Sequence, residues 1–357
     1  MKHQILILLL STAMLHACKK DDSQTPVKTE FELTQLVSYT DTTGSNWGYE
    51  IIATSDNNMV VSFMNESLGK AHIIKYNTNG SELWHLILKE RIYQICELSN
   101  GELIGIGPSS YLIRIAANGS SSSIFTPVEK HNSYSNILKT SDQFIYLIGH
   151  DFFDESFICK YDENFNLVWK TNLSSVYKKS FSVDKNNNLI FQDSHTNKLY
   201  VMNPDGAISK QINISESCEL KINDIISVDS NLLLAMEAGN INSDVACPSL
   251  MSIDYDGNVN WEYTLPNIQT PISFNKIITF NNAIYACGSI TETHWYSDLF
   301  MAKFNLSGQI SGKKTIGTEM TDESLSTMCL VNNCLFACGG RNGKSKGESV
   351  VFRHCTN

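Results

Sequence analysis

The segment nearest to a catalytic motif lies close to the C-terminus. Residues 343–347 read Gly-Lys-Ser-Lys-Gly and match the G-x-S-x-G pattern, in which a serine attacks acyl groups. That chemistry needs the serine at a sharp turn from a strand into a helix, and here the segment is a basic loop between two predicted strands. It also fails as a phosphate-binding loop, because Cys338 stands where the first glycine is needed. We expect no catalytic nucleophile here.

Metal ligands are the second kind of chemistry to consider. Residues 254–258, Asp-Tyr-Asp-Gly-Asn, resemble part of a calcium loop but lack a third oxygen ligand before the glycine and a later glutamate. Similar segments at 77–80 and 203–206 indicate that this pattern is turn chemistry. The histidines show no pair at zinc-ligand spacing. We therefore expect no metal site within any one segment, and a site could only be assembled across segments.

Several polar loops combine carboxylates or aromatic rings that could bind a ligand. Asp151, Asp154 and Glu155 could supply an acid and a base for glycoside hydrolysis, although a solvated charge cluster explains them better. Rings offer flat apolar contact to a sugar or peptide, and adjacent polar groups orient it. The binding candidates are Trp295, Tyr296, His294, Phe152 and Arg341. The alternative is that these rings only cap neighbouring structure, and the same two interpretations apply to Trp47 and Tyr49.

The elements that would position these residues are repeats. Residues 73–84 return at 158–169 and 251–261, with weaker copies at 113–119, 200–206 and 303–308. Each copy alternates apolar and polar residues, turns at Asn or Asp followed in most copies by Gly, and continues in a second strand, which is typical of a β-hairpin. The turn positions recur every 39 to 51 residues. This period indicates the blades of a β-propeller.

A second hairpin precedes each of these, so each blade should have four strands. Third strands occur near residues 73, 112, 157, 199, 250, 300 and 351. The last blade ends after its third strand, while residues 31–39 form an unpaired strand before the first blade, so this strand should complete the ring and hide the sheet edges. We predict an all-β, seven-bladed β-propeller closed by its N-terminal strand. Tryptophan recurs at one position of the repeat, where its side chain could fill the gap between neighbouring blades; these residues are Trp84, Trp169 and Trp261.

The two faces of such a propeller should differ. Links between first and second strands, and between third and fourth strands, are tight and rich in Asn and Gly. Links between second and third strands are longer and dissimilar, at 65–70, 150–155, 237–248, 290–297 and 340–347. We call these the tight-turn face and the long-loop face. Variable loops on a regular scaffold are the usual place for recognition, so we predict binding at the long-loop face.

The N-terminus predicts a membrane anchor. A basic start, an apolar run at 5–10 and the sequence Leu-His-Ala-Cys ending at Cys18 resemble the bacterial lipobox. This implies a signal peptide at 1–17, a lipidated Cys18 with a flexible tether at 18–29, and the propeller at 30–357. Lys20, Asp21 and Asp22 resemble the signal that sends lipoproteins of some Gram-negative bacteria to the outer face of the outer membrane, or they are a solvated spacer. We expect an outer-membrane lipoprotein that contacts the membrane through its lipid alone.

The repeats resemble those of the quinoprotein-like (PQQ-like) β-propellers. With the lipid anchor, the chain is also similar to the propeller lipoprotein of outer-membrane barrel assembly, which usually has eight blades. Quinoprotein dehydrogenases carry two adjacent cysteines over their cofactor, and this chain has no adjacent pair. We therefore expect no cofactor.

Charge and cysteine content narrow the partners and the covalent links. With 37 acidic and 27 basic residues, the chain lacks the basic stripe needed for nucleic acid. Of its ten cysteines, one is Cys18, which leaves an odd nine and at least one free thiol. Cys287 and Cys338 should be small buried hydrophobes. The pairs that could form disulfides are Cys218 with Cys247 and Cys334 with Cys355.

These observations favour a non-enzymatic lipoprotein that binds a protein or glycan ligand on its long-loop face. The alternative is an enzyme acting on polysaccharide, of glycosidase or lyase type, with its site at the mouth of the central channel. A quinone-dependent dehydrogenase is disfavoured because the paired cysteines are missing.

Overall fold

The computed structural model describes the part of the chain from Phe31 onward, apart from short internal gaps. The described ranges are 31–40, 46–107, 111–127, 133–150, 155–173, 180–192, 196–214, 220–237, 247–264, 271–293, 296–317, 321–342 and 347–356. Within them the regular structure is entirely β-strand. No helix in these ranges is long and apolar enough to span a membrane. The compact unit that they belong to comprises residues 31–357.

The strands form seven antiparallel four-stranded sheets, the blades. Blade 1 contains β2 (Asn46–Ala53), β3 (Met59–Asn65), β4 (Lys70–Tyr76) and β5 (Glu82–Leu88). Blade 2 contains β6 (Gln94–Glu97), β7 (Leu103–Ile106), β8 (Leu112–Ile115) and β9 (Ser122–Phe125). Blade 3 contains β10 (Ser133–Lys139), β11 (Ile145–His150), β12 (Ser156–Tyr161) and β13 (Leu167–Leu173). Blade 4 contains β14 (Phe181–Val183), β15 (Leu189–Gln192), β16 (Lys198–Met202) and β17 (Ile208–Asn213).

The last three blades follow the same order. Blade 5 contains β18 (Lys221–Val228), β19 (Asn231–Glu237), β20 (Leu250–Asp254) and β21 (Val259–Tyr263). Blade 6 contains β22 (Ile272–Phe280), β23 (Ala283–Thr293), β24 (Tyr296–Asn305) and β25 (Ile310–Ile316). Blade 7 contains β26 (Asp322–Val331), β27 (Cys334–Asn342), β28 (Gly347–Cys355) and the N-terminal strand β1 (Thr34–Tyr39). The predicted seven-bladed propeller is confirmed.

Closure by the N-terminal strand is also confirmed. β1 pairs antiparallel with β28, from Thr34 opposite Arg353 to Tyr39 opposite Ser349. The first strands of neighbouring blades contact one another all the way round, including β2 with β26. The ring therefore closes, and the edge of β28 is covered.

The hydrophobic core lies between the blades rather than at a single centre. Seven clusters of buried side chains each join two neighbouring blades. The three repeated tryptophans contribute as predicted. Trp84, Trp169 and Trp261 pack against turn glycines of the next blade, and the Trp169 Nε1–H donates to the Pro204 carbonyl at 2.8 Å.

The tight turns form where the sequence placed them. Asn57, Asn187, Asn282 and Asn333 adopt positive φ, a conformation that asparagine tolerates better than most residues. In the turn at 254–258 the Asp254 carboxylate accepts the backbone N–H groups of Asp256 and Asn258 at 2.8 and 2.9 Å. Its oxygens close the turn, which is the interpretation that the sequence favoured over a calcium loop.

Candidate functional site

Bulges on the innermost strands create the polar lining of the central channel. The first strands of blades 1, 3, 5, 6 and 7 each shift register by one residue. Two consecutive residues then oppose one partner residue, which re-aims side chains away from the sheet. Gly288 and Gly339 on the second strands allow the bulged first strands to approach closely, because a Cβ on either glycine would lie about 2 Å from a backbone oxygen of the adjacent first strand.

A cavity of about 610 Å³ lies inside the ring formed by these strands. Its lining comes from all seven blades and includes Trp47, Gln94, Asn136, Phe181, Asn223, Lys276 and Thr327. Because every blade contributes, the cavity is the central channel of the propeller.

The cavity opens on the long-loop face. Its lining residues lie in the first half of most first strands, such as Trp47 in β2 and Asn223 in β18. Pairing places the start of each first strand beside the end of the second strand, with Asn46 opposite Asn65 and Lys221 opposite Glu237. The starts of the first strands and the ends of the second strands therefore lie at this opening, which we call the channel mouth.

Three charged side chains line the mouth: Glu50, Asp224 and Lys276. The Lys276 Nζ lies 2.9 Å from Asp224 Oδ1, and the backbone N–H of Ile277 donates to Asp224 Oδ2 at 3.0 Å. The Thr327 hydroxyl donates to Glu50 Oε1 at 3.2 Å. Asp224 is 4% exposed, whereas the Lys276 side chain is 35% exposed to the channel. The mouth thus carries one cation and two carboxyl groups drawn from three blades.

Burial sets the protonation of these groups. It raises the pKa of Glu50 to about 7, against the opposing effect of the Lys276 charge. Burial likewise raises the pKa of Asp224, although Lys276 and the Ile277 N–H work in the other direction. Burial alone would lower the pKa of Lys276, but the carboxylates of Asp224 and Glu50 outweigh it and raise that pKa. Glu50 is therefore a carboxyl group at the mouth that changes charge near neutral pH.

Aromatic rings form part of the wall. Trp47, Tyr49, Tyr93 and Phe181 line the cavity. The rings of Tyr49 and Tyr93 lie 5.2 Å apart, and the Trp47 Nε1–H donates to the Ser326 hydroxyl at 3.0 Å, which fixes the indole. The Tyr49 hydroxyl donates to Glu66 Oε1 at 3.0 Å. Trp47 also packs against Gly340 of blade 7, so its position fits both interpretations, contact with a ligand and a cap on the neighbouring blade.

Amide side chains connect the innermost strands. The Asn223 Nδ2 donates to the Phe274 carbonyl at 3.0 Å, and the Asn275 Nδ2 donates to the Leu325 carbonyl at 2.8 Å. The Asn223 Oδ1 is buried and has no hydrogen-bond partner within the described residues. A buried acceptor without a partner costs about 1–3 kcal/mol, so a ligand that donates here would recover stability.

The structure places two of the five predicted contact residues. Tyr296 begins β24 on the long-loop face and is 38% exposed. Arg341 lies in β27, where its guanidinium is 3.5 Å from Glu323 and 3.6 Å from Glu348. Arg341 is thus mostly engaged within blade 7. Phe152, His294 and Trp295 lie outside the described residues, as do Asp151 and Asp154, and their predicted roles stay predictions.

Two predicted loops are shorter than the sequence indicated. β23 continues to Thr293 and β24 begins at Tyr296, while β27 continues to Asn342 and β28 begins at Gly347. The expected loops at 290–297 and 340–347 are therefore wrong over much of their length. Cross-strand pairing explains the second difference, because Arg341 stands opposite Glu348 and opposite charges stabilise such pairs. The G-x-S-x-G segment falls largely at 343–346, outside the described residues.

Cysteines fall into buried thiols and disulfides. Cys334 and Cys355 form a disulfide at the tight-turn end of blade 7, which confirms that predicted pair. Cys247 is also disulfide-bonded, but Cys218 lies outside the described residues, so its pairing with Cys247 stays a prediction. Cys287 and Cys338 are free and buried, as expected for small hydrophobes, and burial raises the pKa of both thiols.

Within the described ranges, no three His, Cys, Asp or Glu side chains form a metal-binding group.

Sequence reasoning missed Glu50, Asp224 and Lys276. Each lies at the same bulge position of its blade. A signal was present, because an ionisable residue directly before an Ile-Ile pair recurs in the first strands of three blades. Comparing equivalent positions across the repeats, rather than motifs within one segment, could have found it.

Comparisons with known proteins bear on the fold. No family model and no curated protein sequence matches the chain. Among solved structures, BamB from Moraxella catarrhalis is 14% identical, with a TM-score of 0.54 over 90% of this chain and 100% of BamB. Virginiamycin B lyase from Staphylococcus aureus is 13% identical, with a TM-score of 0.60 over 90% of this chain and 99% of the lyase. The WD40 β-propeller domain of Doa1 is 10% identical, with a TM-score of 0.60 over 90% of this chain and 96% of that domain. At these identities the likeness is one of fold.

Proposed function

We propose that this protein is a non-enzymatic binding propeller that holds a protein or glycan ligand at its channel mouth. The observation that carries the proposal is the 610 Å³ cavity, which opens on the long-loop face and is lined by polar and aromatic side chains of all seven blades. Ligand sites are typically concave, with apolar contact surface and a few polar groups that fix orientation. The tight-turn face has short repeated turns instead.

The rim of the mouth supplies further contacts in this proposal. Tyr296 is exposed on the same face, and Phe152, His294 and Trp295 belong by sequence to links of that face. Arg341 contributes through a guanidinium that Glu323 and Glu348 hold in place. A ligand that reaches from the cavity to the rim would touch several blades at once.

The proposed setting is the cell envelope. The lipobox ending at Cys18 supports a lipid anchor, and Lys20, Asp21 and Asp22 support an outer-membrane position exposed on the cell surface. Cys18→Ala should leave the protein unprocessed or soluble. A variant that fractionates with membranes and has the parent's mature mass would contradict the anchor. The proposed disulfide between Cys218 and Cys247 suits such an oxidising compartment.

Binding can be tested with a glycan array and a peptide array on the purified protein. Hits should lose at least tenfold affinity in Trp47→Ala, measured at a temperature at which calorimetry shows the variant to be folded. The control is Asn79→Ala, on the tight-turn face, which should bind like the parent. If Asn79→Ala weakens binding and Trp47→Ala does not, the ligand binds on the tight-turn face and the proposed site is wrong.

An enzyme acting on polysaccharide is the second candidate, and one observation favours it. Glu50 has a pKa of about 7 and shares the cavity with Asp224 and Lys276, so it could donate or accept a proton near neutral pH. Of the compared structures, virginiamycin B lyase is an enzyme by name, so this fold can carry catalysis. Release of new sugar ends from acidic or neutral polysaccharides, abolished by Glu50→Gln, would replace the binding proposal with this one.

A further inference from the structure

We propose that the channel mouth accepts a cationic side chain, the ammonium of a lysine or the guanidinium of an arginine, presented by an extended segment of a partner protein. The inference rests on the proposed binding function and adds the chemistry of the ligand. It follows from the charge, the acceptors and the rings at the mouth.

The charges that line the cavity leave one carboxylate uncompensated. Asp224 is engaged on both oxygens, by the Lys276 ammonium and by the Ile277 N–H. The side-chain bond that the structure gives Glu50 comes from the Thr327 hydroxyl, a neutral donor. When Glu50 and Asp224 are both ionised, two negative charges and one positive charge share the cavity, so a ligand cation would balance them.

A second acceptor points to a ligand rich in N–H donors. Asn223 is 7% exposed and lines the cavity, and its amide is oriented by the bond from Nδ2 to the Phe274 carbonyl. This orientation leaves Oδ1 as an acceptor without a partner among the described residues. Ammonium and guanidinium groups carry several N–H donors and no acceptor, which suits a mouth whose lining includes the acceptors of Asn223 and Glu50.

The rings at the mouth suit the remainder of such a side chain. Trp47, Tyr49 and Tyr93 line the cavity, and a cation close to an aromatic face is attracted by the ring quadrupole. The methylene stem of lysine or arginine can pack on the same rings. A neutral sugar could stack there but would leave the charge of Glu50 unbalanced, so the observations favour the cation.

The test uses the full mature chain and blocked peptides of the form Ser-Gly-Thr-X-Thr-Gly-Ser, in which X is lysine, arginine, norleucine or glutamine. Titration calorimetry at pH 8 should give at least tenfold tighter binding for lysine or arginine than for norleucine or glutamine. Glu50→Gln should remove this preference. The matched control is Glu97→Gln, because Glu97 lies at the other end of a first strand and accepts the Ser55 N–H at 2.7 Å.

The pH dependence separates charge recognition from simple packing. The groups that face Glu50 are Lys276, Asp224, Thr327 and the buried thiols of Cys329 and Cys338. Because the pKa of Glu50 is about 7, affinity for the lysine peptide should rise severalfold from pH 6 to pH 8. The rise should disappear in Glu50→Gln. A rise that persists in this variant would assign it to another group and overturn the role of Glu50.

The outcomes distinguish this inference from the binding proposal. Equal affinity for the lysine and norleucine peptides would overturn the cation site. Binding of neutral oligosaccharides alone, lost in Trp47→Ala, would also overturn it and leave the proposed function standing. If neither peptides nor oligosaccharides bind in a Trp47-dependent way, both proposals are wrong.

Discussion

The two faces of the propeller are built by contacts that differ in their separation along the sequence. On the tight-turn face, side chains close turns within four residues, as Asp162 does by accepting the N–H groups of Asn164 and Asn166. At the channel mouth, Lys276 and Asp224 are 52 positions apart, and Thr327 and Glu50 are 277 apart. The tight-turn face repeats one kind of local turn, whereas the channel mouth forms only when the ring has closed.

This difference separates stability from recognition. Repeated turns hold each hairpin and can vary little, because each must provide an acceptor and a residue that tolerates positive φ. Residues at the mouth belong to different blades and are free to differ, so charge and aromatic surface can accumulate there. The comparison predicts that changes on the two faces will have effects of different size and kind.

Removal of the closing strand should have the largest effect, because both faces depend on the ring. Deletion of residues 31–39 removes β1, exposes the edge of β28 and strips Leu36 and Val37 from the cluster between blades 7 and 1. We expect loss of cooperative unfolding and concentration-dependent aggregation, measured by calorimetry and light scattering. A truncated protein that melts cooperatively at the parent's temperature would show that closure is not needed.

Two lysine variants compare the faces directly. Lys276 and Asp224 form a largely buried pair at the mouth, whereas Lys210 and Asp256, 2.6 Å apart, have side chains 41% and 77% exposed beside a tight turn. Lys276→Met should cost about 2 kcal/mol, less than the 3–5 kcal/mol for a fully buried pair, because Lys276 is partly exposed. Lys210→Met should change the free energy of unfolding by less than about 0.5 kcal/mol. Equal losses in denaturant titrations would mean that burial does not distinguish the two faces.

The sequence predicted the tight-turn face because its chemistry is local. The turn at 77–80 and its sister turns are recognisable from adjacent residues, and their spacing was enough to predict seven blades and the pairing of β1 with β28. The strand ends at Thr293 and Asn342 were missed because polar residues there are paired across the hairpin, which the pattern along one strand does not reveal.

The channel mouth could not be predicted in the same way. A bulge after Gly48 or Ile222 shifts the side-chain alternation by one, so the face of Glu50 or Asp224 cannot be assigned from period-two reasoning. Their partners also lie on other blades. The ring order brings Lys276 to Asp224, and neither segment alone contains a sign of the pair.

The pH dependence of stability should report on the mouth. Glu50 has an ordinary pKa of 4.5 that is raised to about 7 in the fold, so between these values the unfolded chain releases a proton that the folded protein keeps. Stability should therefore fall as pH rises from 4.5 to 7 and stay lower above it, by about 1–2 kcal/mol after allowance for contact with solvent.

Glu50→Gln isolates this contribution. The variant should be more stable than the parent at pH 8 and should lack that part of the decline, as measured by urea titration at several pH values. Glu97→Gln, at the tight-turn end of a first strand, should keep the parent's profile. An unchanged profile in Glu50→Gln would show that Glu50 titrates in its ordinary range.

The smallest effect should come from a single turn on the tight-turn face. Asn187 has φ of 60° in the turn between β14 and β15, where its N–H donates to the Asp184 carbonyl at 3.0 Å. Asn187→Ala should cost about 1 kcal/mol, because alanine tolerates this conformation less well, whereas Asn187→Gly should stay within about 0.5 kcal/mol of the parent. Neither variant should change affinity at the mouth, since the turn lies at the opposite end of blade 4. A loss of affinity in Asn187→Ala with stability preserved would mean that recognition includes the tight-turn face.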